Sequence, residues 1–157
     1  MNRQLSNTEA QSEVSAMLTG CSINKVTYYI TGWEFRLIGE DGPEYTVHAM
    51  DVSIPNVEQW WSSIKDPPVN LKDTNEQDDT IAAICIFTVV NKWPISSVTI
   101  DPHGILILVF ANGCVLNLLA TVEYVEWSWQ IADENSKVLL ICDGGDFYSK
   151  LDSPELS

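Results

Sequence analysis

The sequence predicts an α+β fold, antiparallel β-meanders with two or three helices, and three observations carry that prediction. Residues 94–131 are the most apolar stretch, rich in β-branched and aromatic side chains and broken by Pro102-His103-Gly104 and Asn112-Gly113, as tightly turned antiparallel strands are. Trp33, Phe35 and Leu37 alternate with Glu34 and Arg36, the period of a strand with one face on a core and one in water. Ser6-Asn7-Thr8-Glu9 has the form of a capping box, and Ala10, Val14, Met17 and Leu18 follow it on a single helical stripe.

Taken in order, the first helix should run over residues 7–19, with Gly20 as its stop. Three strands follow, at 23–29, 33–38 and 45–49. Their turns are Thr31-Gly32 and Gly39-Glu40-Asp41-Gly42-Pro43, where Gly permits positive φ and Pro locks its own φ at a negative, turn-compatible value. Val57, Trp60, Trp61 and Ile64 fit a second short helix over 55–64, with Pro55 near its first position. Residues 65–79, opened by Pro67-Pro68 and closed by acids, read as a connecting loop. The segment 80–91 is apolar on all sides. Asp78 or Asp79 can cap it as a helix, while its β-branched content makes a strand the rival.

An internal repeat favours the helix. Ile23, Val26, Thr27 and Gly32 recur as Ile95, Val98, Thr99 and Gly104, each 72 positions on, and that shift carries the first helix onto residues 79–91. The prediction is two helix-plus-three-strand repeats, 6–64 and 78–142, inside one domain spanning 1–150. In the last part, Trp127, Trp129 and Ile131 alternate with Glu126, Ser128 and Gln130, residues 132–136 turn the chain, and 137–142 return as an interior strand. Asp143-Gly144-Gly145-Asp146 should then leave the sheet, and the polar tail from Ser149, 151–157 above all, should be poorly ordered.

Charge is the unusual feature of the composition. Asp and Glu number 22 against 8 Lys and Arg, a formal net charge of −14 in 157 residues. Such a field repels nucleic acid and anionic membranes, and it speeds encounter with a cationic partner. Cys21, Cys85, Cys114 and Cys142 are widely spaced with no CxxC pair, which argues against zinc and for reduced, buried thiols. No metal or cofactor is expected. With no apolar leader at the N-terminus and no apolar run of membrane-spanning length, a cytoplasmic location is the default.

No catalytic motif is present, so an enzyme is not expected. His48 falls in a strand and His103 in a turn. Asp101 with His103, and Asp143 with Asp146, are the pairs an acid–base or cation site would have to use, but a turn explains both sets of letters. Alternation places Trp33, Trp127 and Trp129 on buried sheet faces. Trp60, Trp61 and Trp93 lie near element ends, where an exposed Trp makes an interface anchor. The acids group as Glu40, Asp41 and Glu44 at one turn, Asp73, Glu76, Asp78 and Asp79 in the connector, and Asp133 with Glu134 at the last hairpin. If the turns at 40–43 and 133–136 share an end of the fold, five carboxylates meet there.

In size, acidity and α+β build the whole chain resembles the immunity proteins that protect bacteria from polymorphic toxins, including those of contact-dependent growth inhibition. The resemblance rests on build rather than on a motif, and that group spans unrelated folds, so it assigns no residues. It implies a protein that neutralises a cognate toxin domain, often a basic nuclease, by covering its active site or substrate surface. Glu40, Asp41, Glu44, Trp60, Trp61, Asp73, Glu76, Asp78, Asp79, Asp133 and Glu134 are the candidate contacts. An interaction or scaffold module for another cationic protein, and a small enzyme built on Asp143, Asp146, His48 or His103, are the alternatives. Unpaired strand edges leave monomer and homodimer both open.

Overall fold

The computed structural model describes residues 2–29, 32–62, 90–121 and 127–150, apart from the side chains of Glu58 and Trp61. Within them the fold is α+β, dominated by antiparallel strands in two sheets. Strand β1 (Arg3–Leu5) leads into helix α1 (Asn7–Leu18), then β2 (Ser22–Tyr29), β3 (Gly32–Ile38) and β4 (Glu44–Ala49). After these come β5 (Val52–Ser53), the short helix α2 (Val57–Ser62), β6 (Ile95–Ile100), β7 (Leu106–Phe110) and β8 (Val115–Leu118). The last described elements are β9 (Trp129–Asp133), β10 (Val138–Asp143) and β11 (Asp146–Ser149). Seven strands form one sheet in the order β1-β11-β10-β9-β4-β3-β2, and four form the other, β5-β8-β7-β6.

α1 forms where its local chemistry demands. The Ser6 hydroxyl accepts from the Glu9 amide at 3.2 Å while the Glu9 carboxylate accepts from the Ser6 amide at 2.8 Å, so two otherwise orphaned donors are satisfied reciprocally. The Ser6 amide first, and the Ser6 hydroxyl after it, act on the Glu9 carboxylate to hold its pKa below the ordinary value. Ala10, Val14 and Leu18 are fully buried and Met17 partly so, which is the stripe read from the sequence. The helix runs alongside β6. There the Gln11 side-chain amide donates to Val98 O and accepts from Ile100 N, occupying the open edge of that strand as a neighbouring strand would.

Period-two alternation sorts the sheet residues. Trp33, Phe35 and Leu37 on β3, Val47 and Ala49 on β4, Trp129 and Ile131 on β9, and Leu140 and Cys142 on β10 all enter one core. Ile95, Val98, Leu106, Leu108, Phe110, Leu116 and Leu118 from the second sheet belong to the same core. Each such side chain contributes about 1.5–3 kcal/mol on burial. The two sheets are tied at β6, where Ile95 N donates to Cys21 O and Gly20 N to Ile95 O, both at 2.8 Å. They are tied again where the Trp129 indole donates to Gly104 O at 3.1 Å.

Several expectations are corrected. The described residues hold one helix of several turns, fewer than the two or three predicted; α2 has six residues. It does not start at Pro55, because Asn56 adopts φ +58°, a left-handed conformation that a helix cannot include. Asp143-Gly144-Gly145-Asp146 does not leave the sheet. Gly144 and Gly145 have φ +57° and +98°, as a two-residue hairpin turn requires, and Asp143 pairs with Asp146 to start β11. Ser149 is no tail residue but lies buried opposite Arg3. β1 and β11 were not expected at all. The segment 80–91, the proposed second helix, falls almost wholly outside the described residues, as do the connector and residues 151–157. The meanders β2-β3-β4 and β6-β7-β8 lie in different sheets.

Candidate functional site

Strand register decides where the acidic turns go. Ile38 of β3 pairs with Glu44 of β4, and Tyr45 beside it pairs with Asp133, the last residue of β9. Since β3, β4, β9 and β10 are consecutive in the sheet, the turns at 39–43 and 133–137 emerge side by side from the same end. Two strand spacings separate their centres, about 10 Å. That is slightly beyond the Debye length at physiological salt, about 8 Å, so their fields overlap fully only at lower salt. Glu40, Asp41, Glu44, Asp133 and Glu134 therefore share one end of the molecule.

These five carboxylates are not equivalent. Asp133 is half-buried and accepts from the amides of Asn135 and Lys137, each at 2.9 Å, so it builds its own turn. Glu44 is ion-paired with Arg36 at 3.0 Å. Glu40, Asp41 and Glu134 are exposed, and no hydrogen bond or ion pair holds them among the described residues. They are the carboxylates at this end that face solvent. Of the other predicted contacts, Trp60 is half-buried against the core, the side chain of Trp61 is not described, and Asp73, Glu76, Asp78 and Asp79 lie outside the described residues. Among the described residues Trp93 is the exposed indole, at 47%.

The opposite end is a glycine joint. Gly104, at φ +88°, carries the β6–β7 turn against the β10–β11 turn so closely that a Cβ on it would stand 3.0 Å from Gly145 Cα. A cavity of about 520 Å³ opens beside this joint, lined by Pro102, His103, Thr121, Gly145 and Asp146 among others. It brings together His103 and Asp146 but neither His48 nor Asp143. Asp101 does not orient the His103 ring. Its carboxylate accepts from the amides of His103 at 2.8 Å and Ile105 at 2.9 Å, and it is spent on the turn.

A third constellation lies on the outer face of the seven-stranded sheet, where register sets Glu34 beside His48 and His48 beside Gln130. One Glu34 oxygen, Oε2, accepts from the Tyr29 hydroxyl and from His48 Nε2, both at 3.2 Å. The carboxylate beside it raises the Tyr29 pKa. Trp127 was expected in the core, in phase with Trp129. Instead β9 begins only at Trp129, so the alternation does not reach back, and the half-buried Trp127 ring stands edge-on to His48 with centroids 6.4 Å apart. A cavity of about 170 Å³ lies among Tyr29, Gly32, Trp33, His48, Met50 and Trp127. Another, of about 430 Å³, lies among Trp127, Gln130, Ile141, Asp143, Tyr148 and Lys150. Sequence reading missed this cluster. Its signal was Glu34, Arg36 and His48 at non-core parity on neighbouring strands.

Among the described residues no group of three or more His, Cys, Asp or Glu is placed to hold a metal ion, and no helix is long and apolar enough to cross a membrane. Comparison with protein-family models, with curated proteins and with solved structures returns no match.

Proposed function

We propose that this chain is a non-catalytic binding protein that neutralises a cationic toxin domain in the cytoplasm, as an immunity protein does, using the acidic end of the seven-stranded sheet. The observation that carries the reading is the adjacency of the turns at 39–43 and 133–137, which sets Glu40, Asp41 and Glu134 out as exposed charges on a chain of net charge −14. A nuclease presents cationic groups to phosphate, and an acidic surface of matching spacing can occupy those groups. Charge complementarity then gives fast association and discriminates cognate from non-cognate toxins.

The test is affinity capture from the source cell with the tagged protein, washed at low and at high salt, followed by a toxicity assay on what is recovered. One basic protein, retained at low salt and released at high salt, whose toxicity the chain suppresses, is the expected outcome. A recovered basic protein without toxicity would make this a scaffold module instead. Failure to capture any basic protein from cells that express the neighbouring genes would overturn the reading. One observation favours a small enzyme as the second reading: the cavity shared by His103 and Asp146, an imidazole and a carboxylate of the kind acid–base chemistry uses. Loss of protection in His103→Ala with capture unchanged would favour it.

A further inference from the structure

The geometry points to a cation-binding slot on the outer face of the seven-stranded sheet, walled by Trp127, Tyr29 and His48 with the Glu34 carboxylate hydrogen-bonded to the last two, that takes an arginine side chain of a protein partner. This deepens the binding reading above and rests on it, but it places an anchor on a surface distinct from the acidic turns.

Three features select the occupant. The walls are aromatic: the Trp127 indole, the Tyr29 ring and the His48 imidazole line a cavity of about 170 Å³, the scale of one long side chain rather than of a whole ligand. Ring faces carry the negative part of the aromatic quadrupole and attract a guanidinium or ammonium. A carboxylate stands behind two of the walls: Glu34 does not line the cavity, but its Oε2 accepts from the Tyr29 hydroxyl and from His48 Nε2, each at 3.2 Å, and so holds both walls and lends them negative charge. A neutral apolar side chain would gain nothing from that charge, and an anion would be repelled by it.

Gly32 keeps the slot open and in register. It lies at φ +144°, and a Cβ there would come within 2.7 Å of Ala49 O, so no larger residue fits between β3 and β4 at this wall. Arginine suits the slot better than lysine because its planar guanidinium stacks on an indole and is less strongly hydrated. The cavity of about 430 Å³ that Trp127 also lines has room for the residues flanking that arginine and presents Gln130, Asp143 and Tyr148 to them. The acidic end would then steer and this slot would anchor, a division of roles between rate and residence that interfaces commonly show.

The experiment titrates the full chain, labelled at its indole nitrogens, with the peptide acetyl-Gly-Arg-Gly-amide and in parallel with its citrulline isostere, which keeps the shape and loses the charge. Saturable movement of the indole resonance that is missing from Trp127→Leu, with citrulline binding roughly tenfold more weakly, is the expected result. Glu34→Gln should weaken the arginine peptide severalfold while leaving the fold intact by circular dichroism. Equal binding of the two peptides, or an unmoved Trp127 resonance, overturns the slot. The triple variant Glu40→Gln, Asp41→Asn, Glu134→Gln separates the two proposals. Unchanged peptide binding in it is required by the slot, whereas unchanged capture of a basic protein by it would overturn the acidic-end reading alone.

Discussion

Gly104 shows how much one residue without a side chain can fix. Its carbonyl receives the Trp129 indole at 3.1 Å, its backbone abuts Gly145, and its φ of +88° sets the turn that carries β7 back. Gly104→Ala would meet Gly145 Cα at 3.0 Å and the Ala120 side chain at 3.2 Å in a conformation that L-residues disfavour. A loss of about 2 kcal/mol or more is expected in urea unfolding. Cys142, buried under the same joint, makes a pH prediction. Burial above all pushes its thiol up to about 11 from 9.0, with the Asp143 and Asp146 carboxylates adding to the rise and the Gly145 amide opposing it. A raised folded pKa means stability that is complete below pH 9 and lost as pH climbs through about 11. The order of magnitude is about 2–3 kcal/mol. The urea midpoint should therefore fall from pH 8 to pH 11, less steeply in Cys142→Ala, and the buried thiols Cys21, Cys114 and Cys142 should resist an aromatic disulfide reagent at pH 8 until the chain unfolds.

At the scale of elements, the α1–β6 contact makes a prediction that the sequence did not suggest. Gln11 occupies the backbone edge of β6, so Gln11→Leu strips partners from Val98 O and Ile100 N. A loss of about 1–2 kcal/mol should accompany it. Sedimentation should also show concentration-dependent association, because an uncovered edge templates another strand. What was legible in the sequence follows the same division between local and distant causes. The capping box, the Ala10–Val14–Leu18 stripe and the alternation in β3 depend on neighbours within a few residues, and the structure has them where they were read. β1 and β11 escaped because RQL and DFYS are too short to show a period of their own; β1 is a strand only because β11 pairs with it, Arg3 against Ser149 and Leu5 against Phe147, and β11 is one because it pairs with β10 across the Gly144-Gly145 turn. Trp127 was misplaced for a related reason: alternation holds only while the strand lasts, and its start at Trp129 is set by pairing with Cys142 on β10. The cluster of Glu34, His48, Tyr29 and Trp127 draws on β2, β3, β4 and the residues leading into β9, four segments whose register no local pattern encodes.

For the whole molecule, the two ends of the seven-stranded sheet differ in what a substitution there should change. The glycine joint ties both sheets together, so variants there should lower stability. The acidic turns hold Glu40, Asp41 and Glu134 in water, and surface changes away from packed or bonded groups are nearly neutral for stability. Replacing the three by Gln, Asn and Gln removes three charges within about 10 Å of one another. The unfolding midpoint should stay within about 0.5 kcal/mol of the parent or rise, since like charges repel. Association with a basic partner should respond in the opposite sense. At low salt its rate constant should fall about tenfold, and the curves for parent and variant should converge as salt shortens the screening length to about 3 Å at 1 M. Dissociation should change little, because steering charges act before contact is complete. Asp133→Asn is the internal control: its carboxylate holds the amides of Asn135 and Lys137, so it should lose stability without slowing association as much. Stopped-flow association across a salt series reads both outcomes in one experiment. A rate that ignores the triple substitution at low salt would remove the acidic end from recognition, whatever the partner proves to be.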